Sequence, residues 1–222
     1  MNLALFDLDG TLIPGDSDHA LGEFMITLGW VDACLHRRRN DEFYRQYLAG
    51  TLDIDAYVDF STQAWRQRPL AEQQAASRRF IAEVIRPQMQ PVAFDLLQRH
   101  RDAGDLIAIV TATNEFVTRP IAEAFGVEHL LAVELQRDAA GAANGRVAGV
   151  PSFREGKITR VHQWLASLGH MLAGFEHCVF YSDSTNDLPL LEIVSEPVAT
   201  NPSPALEAIA RERGWRILRL FA

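Results

Sequence analysis

The chain has 222 residues, 48% of them hydrophobic and 23% charged, which predicts one sizeable folded domain or a domain with an inserted module and excludes a disordered chain. Its net charge of −8, without a long basic run, excludes a nucleic-acid backbone as the main partner. We expect a cytoplasmic protein without a membrane partner, because no apolar run approaches the about 18 residues that a membrane-spanning helix needs, and Asp7 and Asp9 interrupt the N-terminal apolar segment before a signal peptide could form.

Short apolar runs alternate with helix-period segments along most of the chain. The apolar runs predict strands at residues 3–6, 106–110, 130–135, 178–181 and 197–200. The intervening patterns predict helices at residues 91–103, 115–125, 155–168, 186–194 and 203–213. Residues 136–150, with an Asn-Gly pair between β-compatible pieces, predict a hairpin. The alternation predicts an α/β fold with a Rossmann-like, three-layer core, in which a parallel sheet has helices on both faces.

The interval between the first two predicted strands breaks this alternation. Residues 16–89 contain no convincing strand but four helical stretches, one of which has apolar residues at i, i+3, i+4 and i+7 from Leu21. Proline and glycine flank the interval at Pro14-Gly15 and between Pro87 and Pro91, as is typical of domain boundaries. The predicted organisation is an inserted, all-helical cap at residues 15–89 and a core formed by residues 1–14 and 90–222.

Two residue types are scarce. Lysine and arginine together number 21, and Lys157 is the single lysine. Lysine and arginine differ in effect only at sites that need one particular cation shape. Lys157 is therefore either a functional ammonium group or a lysine that is present by chance. Cys34 and Cys178 are too few for a disulfide framework and lack the spacing of metal ligands, so we expect two reduced, buried thiols.

Three aspartates, Asp7, Asp9 and Asp183, follow the carboxyl ends of predicted strands. Open parallel sheets bind their ligands in the crevice at this edge. Three carboxylates with only Lys157 as a cationic neighbour are costly unless a further positive charge compensates them. A hard divalent cation does this best, and the oxygen ligands suit Mg²⁺. The sequence therefore predicts a magnesium site at this edge.

Four motifs occur in a fixed order, and each has an ordinary structural explanation when taken alone. Asp-Gly after a strand is a common turn, a strand-terminal Thr is often a cap, and residues 181–191 can form a strand, a turn and a capped helix. The whole set, Asp-x-Asp, Thr, Lys and Asp-x-x-Asn-Asp, is harder to obtain by accident. With the quoted segments "FDLDGTL", "IVTAT", "GKITRV" and "YSDSTNDLPLL", the chain resembles the haloacid dehalogenase (HAD) superfamily of phosphatases. It is most similar to the phosphoserine-phosphatase-like subgroup, which has a helical C1-type cap.

The resemblance implies a Mg²⁺-dependent phosphatase that acts on a small-molecule phosphate ester. Asp7 would be the nucleophile that forms an aspartyl-phosphate, and Asp9 would be the general acid and then the general base. Asp7, Asp183 and the backbone carbonyl of Asp9 would hold Mg²⁺, while Asp187 would orient metal-bound water or Lys157. The phosphate-binding residues would be Gly10, Thr111, Ala112, Lys157 and Asn186.

The predicted cap carries one candidate specificity residue. Asp16 resembles the cap carboxylate that phosphoserine phosphatases place near the substrate amine, and a helix N-cap is the alternative role. Those enzymes also have a cap arginine for the substrate carboxylate, but here the aligned position is near Ser61, and no arginine lies between Arg45 and Arg66. Phosphoserine is therefore disfavoured, and an amino-alcohol phosphate such as histidinol phosphate becomes an option. Tyr57, Phe60 and Trp65 are expected in the cap core rather than in a substrate cage.

Two other functions stay open. A phosphotransferase or mutase on the same scaffold would pass the phosphoryl group to a second alcohol instead of water. An aspartate-phosphorylated signalling switch of the response-regulator type also uses acidic residues, a Thr and a Lys around Mg²⁺. That switch would be a shorter chain with its acceptor on a middle strand, whereas here the proposed nucleophile follows the first strand and a helical insertion comes next.

Overall fold

The computed structural model of the protein describes residues 1–139 and 141–221, so residues 140 and 222, within the predicted hairpin and core, lie outside the described residues. The strands are β1 Leu3–Phe6, β2 Leu106–Asn114, β3 His129–Val133, β4 Leu135–Arg137, β5 Ala143–Val147, β6 Cys178–Ser182, β7 Glu196–Thr200 and β8 Arg216–Leu218. The α-helices are α1 Ser17–Thr27, α2 Ala33–Ala49, α3 Ile54–Arg66, α4 Leu70–Phe80, α5 Pro91–Asp102, α6 Glu115–Ala124, α7 Glu155–Ser167, α8 Leu188–Leu191 and α9 Pro204–Arg213. A π-helix spans Ile81–Ile85, and 3₁₀ turns span Arg86–Gln88, Leu172–Gly174 and Thr185–Asp187.

A six-stranded parallel sheet with the order β3-β2-β1-β6-β7-β8 forms the centre of the core. All four residues of β1 are buried, because the strand pairs with β2 on one side and β6 on the other and is covered on both faces. Ala4 and Phe6 pack with residues of α5 and α6, whereas Leu3 and Leu5 pack with residues of α7 and α9. This alternation gives three layers and confirms the predicted α/β fold.

Several strand predictions differ from the structure. The predicted strand 130–135 ends at Val133, and Leu135 begins the β4–β5 hairpin instead. The Asn-Gly pair lies inside β5 rather than at the turn, where the backbone N–H of Asp138 donates to the carbonyl of Ala142 and Gly141 has a φ of +82°. The sequence analysis missed β8, a three-residue edge strand that is too short for a clear pattern. The predicted helix 186–194 is shorter, because a 3₁₀ turn begins it and α8 ends at Leu191 before the chain re-enters the sheet.

Between Ser17 and Gln88 the described secondary structure consists of helices joined by short loops, as the residue pattern predicts. This segment packs closely against the core. Val58 of α3 shares a small buried cluster with Val133 and Leu135, next to the hairpin. Asp55 of α3 accepts a hydrogen bond from the backbone N–H of Val147 at 3.3 Å. The insertion therefore rests on the β4–β5 hairpin, and the division into cap and core at residues 15–89 stays a prediction.

Two remaining expectations concern the thiols and the membrane. Cys178 is buried in β6, but Cys34 is exposed near the start of α2, so the expectation that both thiols are buried is wrong for Cys34. Most residues of α2 are polar, and Cys34 lies on the side of this helix that faces solvent. No helix in the described part of the chain is long and apolar enough to cross a bilayer.

Candidate active site

A cavity of about 630 Å³ lies between the carboxyl edge of the sheet and the helical insertion. Asp7 follows β1, Thr111 lies near the end of β2, and Asp183 follows β6, so three adjacent strands deliver these side chains to one place. The predicted site residues that line the cavity are Asp7, Asp9, Gly10, Asp16, Thr111, Ala112, Lys157, Asp183 and Asn186. A larger, open groove of about 940 Å³ beside α4 and α6 contains none of them.

Lys157 is buried at the base of this cavity, in the first turn of α7. Its Nζ donates to Asp7 Oδ1 at 3.0 Å and to an Asp187 carboxylate oxygen at 2.7 Å. The hydroxyl of Ser182 also donates to Asp187 at 2.7 Å, which fixes that carboxylate. Burial lowers the pKa of Lys157, but Asp187 and Asp7 outweigh burial and raise the pKa above its ordinary value. Lys157 is therefore a fixed positive charge beside Asp7, and Asp187 holds it there.

Asp7 is buried, Asp183 is partly buried, and the charge of Asp7 acts on Asp183. Burial raises the pKa of Asp7 to about 6 despite the neighbouring Lys157. Burial, followed by the charge of Asp7, raises the pKa of Asp183 well above its ordinary value. Lys157 supplies one positive charge to this group, which leaves negative charge uncompensated. A divalent cation fits this donor set, because it would be bound by hard carboxylate oxygens that repel each other without it.

The arrangement is not a cage of three carboxylates. Within residues 1–139 and 141–221, no three acidic, histidine or cysteine side chains converge in the manner of a metal site. The carboxylate of Asp9 is engaged elsewhere: Oδ1 accepts from the backbone N–H of Ser17 at 2.7 Å, and Oδ2 accepts from the Thr113 hydroxyl at 2.9 Å. Because the Asp9 side chain is engaged in these hydrogen bonds, the predicted Mg²⁺ ligands are the carboxylates of Asp7 and Asp183 and the backbone carbonyl of Asp9.

Gly10 allows the loop after β1 to approach Asp183. Its φ is +71°, and a Cβ atom at this position would lie 2.5 Å from Asp183 Oδ2. Both the left-handed backbone and the close approach require glycine here. The loop thereby packs against the carboxylate that is predicted to bind Mg²⁺.

We expect Gly10→Ala to lower the thermal midpoint and to weaken stabilisation by Mg²⁺, because the added methyl group displaces Asp183. Gly104→Ala is the matched control, since Gly104 has a φ of +72° but nothing within 4 Å of its Cβ position. Both variants lose about 1 kcal/mol through backbone strain, and Gly10→Ala should lose distinctly more. Thermal unfolding with Mg²⁺ and with EDTA measures the difference. Equal losses in the two variants would contradict a constraint from Asp183.

The surroundings of Asp9 favour the protonated form of its side chain. Burial, followed by the charge of Asp16, raises the pKa of Asp9 to about 8. Its two hydrogen-bond donors, Ser17 and Thr113, are residues that the sequence analysis missed. Thr113 lies two residues beyond Thr111 on β2, and this spacing places both on the same side of a strand. That alternation was the available signal for Thr113.

The other predicted phosphate-side residues surround the same space. Thr111 is buried, and its hydroxyl oxygen accepts from the backbone N–H of Thr113 at 3.2 Å. Asn186 reaches the insertion, where its side-chain amide donates to the backbone carbonyl of Tyr47 at 3.4 Å. The phosphate-binding roles of Gly10, Thr111, Ala112 and Asn186 stay predictions.

Asp16 is the N-cap of α1. Its Oδ1 accepts from the backbone N–H groups of Asp18 at 3.0 Å and His19 at 2.8 Å. The structural alternative to a specificity role is therefore present in the molecule. Asp16 also lines the cavity, so its part in substrate choice stays a prediction.

The insertion contributes further residues to the cavity wall. Tyr57 lines the cavity, so its expected place in the cap core is wrong, whereas Trp65 is buried as expected. Ser61 is buried in α3 and is not part of the described cavity wall. No arginine is among the described residues that line the cavity. Asp18 is a further buried acidic residue in this wall that the sequence analysis missed.

Known proteins share both the sequence and the fold of this chain. The sequence profile of haloacid dehalogenase-like hydrolases matches residues 4–192. A histidinol-phosphatase from Neisseria meningitidis serogroup C (strain 8013) is 45% identical over 217 residues, which span 98% of each protein. A crystal structure of a protein of unknown function from Bordetella pertussis Tohama I is 47% identical, covers 99% of both chains and has a TM-score of 0.93.

A substrate-bound phosphoserine phosphatase has a TM-score of 0.66 over 97% of this chain and 91% of its own, and its 16% identity indicates a shared fold alone. The family profile covers most of the chain, including Asp7, Thr111, Lys157 and Asp183. The chain therefore belongs to the haloacid dehalogenase-like hydrolase family and is a phosphatase of the phosphoserine-phosphatase-like type.

Proposed function

We propose that this protein hydrolyses a small phosphate monoester through an aspartyl-phosphate on Asp7, with Mg²⁺ held by Asp7, Asp183 and the Asp9 backbone carbonyl. The observation that supports this proposal most is the buried group formed by Asp7, Lys157 and Asp187 at the carboxyl edge of the central strand. Lys157 keeps a positive charge beside Asp7, where an anionic phosphate has to approach an anionic nucleophile. The cytoplasmic location stays a prediction.

The residues divide the reaction into two displacements. A carboxylate oxygen of Asp7 bonds to phosphorus while the ester oxygen leaves, and Asp9 gives its proton to that oxygen. Asp9 then takes a proton from water as the water oxygen attacks phosphorus, which releases inorganic phosphate and restores Asp7. Lys157, Thr111 and the nearby backbone N–H groups hold the phosphate oxygens throughout. Bound Mg²⁺ supplies further neutralisation of phosphate charge.

The substrate that we propose is histidinol phosphate or a closely similar amino-alcohol phosphate. The cavity wall has no arginine among its described residues, so a substrate carboxylate such as that of phosphoserine has no guanidinium partner. Acidic side chains from the insertion, Asp16 and Asp18, line the same cavity and favour a cationic substrate. The 45% identical relative from Neisseria meningitidis, which carries the name histidinol-phosphatase, supports the same choice.

A panel of phosphate esters tests this function directly. Purified protein with Mg²⁺ is given histidinol phosphate, phosphoserine and an aryl phosphate, and inorganic phosphate is measured. We expect the highest kcat/KM for histidinol phosphate and loss of phosphate release in EDTA. Added alcohols test the phosphotransferase alternative, because transfer would produce a new ester in place of inorganic phosphate. Turnover of phosphoserine above histidinol phosphate would contradict the substrate assignment.

The role of Asp9 predicts a dependence on the leaving group. We expect Asp9→Asn to reduce kcat/KM for alkyl esters by roughly 10²–10⁴-fold, since an alkoxide needs a proton to depart. The reduction for aryl phosphates should be much smaller in the first step, because a phenolate leaves without protonation. Burst kinetics separate formation of the phospho-enzyme from its hydrolysis. Equal reductions in the first step for both ester types would count against the assignment of Asp9 as the acid.

The raised carboxyl pKa values predict that Mg²⁺ stabilises the fold more as pH rises. The folded-state pKa values of Asp7, about 6, and Asp9, about 8, lie above the ordinary 3.8. Between these limits the folded chain binds more protons than the unfolded chain, so these groups lower the free energy of unfolding as pH rises. A bound cation opposes this loss. We therefore expect the difference in urea midpoint between Mg²⁺ and EDTA to grow from about pH 5 to about pH 8. A difference that is independent of pH would contradict a cation beside these carboxylates.

A further inference from the structure

Asp18 is a buried carboxylate in the cavity wall that the phosphoryl chemistry proposed above does not use. It lies in the first turn of α1, is 6% exposed and lines the cavity. The Tyr57 hydroxyl of α3 hydrogen-bonds to this side chain, but Oδ1 is buried without any hydrogen-bond partner among the described residues. A buried carboxylate oxygen without a partner is costly in an unliganded protein. Asp18 therefore has an unused capacity to accept a hydrogen bond from a cation.

The surroundings of Asp18 are acidic. Burial, followed by the charge of Asp16, raises the pKa of Asp18 to about 7. Burial, followed by the charges of Asp18, Asp16 and Asp9, raises the pKa of the Tyr57 hydroxyl well above its ordinary value. Three carboxyl groups are thus close enough to one hydroxyl group on the cap-facing side of the cavity to act on it.

The basic residues of the described cavity wall do not balance these charges. They are Lys157, which is already paired with Asp7 and Asp187, and His19. The Nδ1 atom of His19 lies 2.8 Å from the side-chain amide nitrogen of Asn40, so this ring nitrogen is engaged with Asn40. Among the described residues no ion pair therefore joins Asp18 to a basic side chain, and a substrate can supply the cation.

We infer that Asp18, supported by Tyr57, is a specificity-determining residue that binds a protonated primary amine on the leaving alcohol. This inference deepens the proposed function and rests on it. Ser17 precedes Asp18, and its backbone N–H donates to Asp9 Oδ1 at 2.7 Å. Asp18 thus belongs to the same helical turn that contacts the proposed proton donor of the ester oxygen. The cation that the inference assigns to Asp18 is an amine two carbons from that ester oxygen.

Aminoethyl phosphate and propyl phosphate test the inference as a matched pair, because a methyl group in propyl phosphate replaces the ammonium group. Asp18→Asn keeps the shape of the side chain and removes its charge. We expect it to lower the ratio of kcat/KM for the amine ester over the propyl ester by about tenfold or more, chiefly through KM. Asp41→Asn is the matched control, since Asp41 is an exposed residue of α2 on the same cavity wall. Its ratio should change by less than about threefold, because exposed charges are screened.

Calorimetric binding of the same two esters, measured beside the kinetics, separates this inference from the proposed function. Tighter binding of aminoethyl phosphate to the wild type, with the preference lost in Asp18→Asn, supports the inference even without turnover. Equal binding of the two esters to the wild type, or a preference that survives Asp18→Asn, overturns it. A wild type that releases no phosphate from any ester contradicts the proposed function alone. Tyr57→Phe provides a second variant at this site, and we expect it to lower the amine preference by about threefold.

Discussion

We expect Asp7→Asn to reduce turnover by roughly 10⁴-fold or more. The amide nitrogen and oxygen of asparagine are poor nucleophiles toward phosphorus, and the substitution also removes the charge that Lys157 contacts at 3.0 Å. The wild type should form a covalent phospho-enzyme that acid quenching preserves and hydroxylamine cleaves, as an acyl phosphate does. Phosphate release and mass spectrometry of the quenched protein together measure both effects.

Asp95→Asn is the matched control for this experiment. Asp95 is an exposed residue of α5 outside the cavity wall, so the same chemical change there should leave both turnover and labelling as in the wild type. Mass spectrometry of the Asp7→Asn protein before the assay verifies that asparagine has not deamidated to aspartate. Full turnover by verified Asp7→Asn protein, or formation of a phospho-enzyme by it, would contradict a covalent mechanism on Asp7.

The central part of the fold was predictable because burial on both faces leaves a simple signature. Residues 3–6 are uniformly apolar and form β1 with the predicted bounds. Asp7 follows them directly, so its position at the carboxyl edge of the sheet follows from the strand alone. Lys157 was singled out by composition, and its burial between two carboxylates gives a physical reason for lysine at this position.

The cavity wall was less predictable because its composition depends on tertiary packing. An acidic residue in the first turn of a helix ordinarily interacts with the helix dipole, so Asp18 has no special local pattern. Tyr57 occurs in an apolar, helix-period segment that is typical of core packing. The sequence does not show that α1 and α3 bring these two side chains together at the cavity. The edge strand β8 was missed because its three residues are too few for a clear pattern, and the exposure of Cys34 depends on packing that the sequence does not show.

Lys157→Arg should reduce turnover by roughly 10²-fold, although it preserves the positive charge. Nζ lies 3.0 Å from Asp7 and 2.7 Å from Asp187 in a site where the lysine side chain is 2% exposed. A guanidinium is wider than an ammonium and spreads its charge over a plane, so it cannot occupy this position without moving one of the carboxylates. Because Asp7 is the proposed nucleophile, a small displacement of its oxygen disturbs the alignment of attack on phosphorus.

Steady-state kinetics on an aryl phosphate and thermal unfolding separate the two ways in which Lys157→Arg could act. Overpacking of the buried site should lower the thermal midpoint, and misplacement of Asp7 should lower kcat in protein that is still folded at the assay temperature. Arg211→Lys is the control exchange, because Arg211 is an exposed residue of α9 whose ion pair with Glu207 is open to solvent. It should match the wild type in both measurements. A wild-type kcat in Lys157→Arg would show that any cation suffices beside Asp7. Chance would then be the explanation for the single lysine.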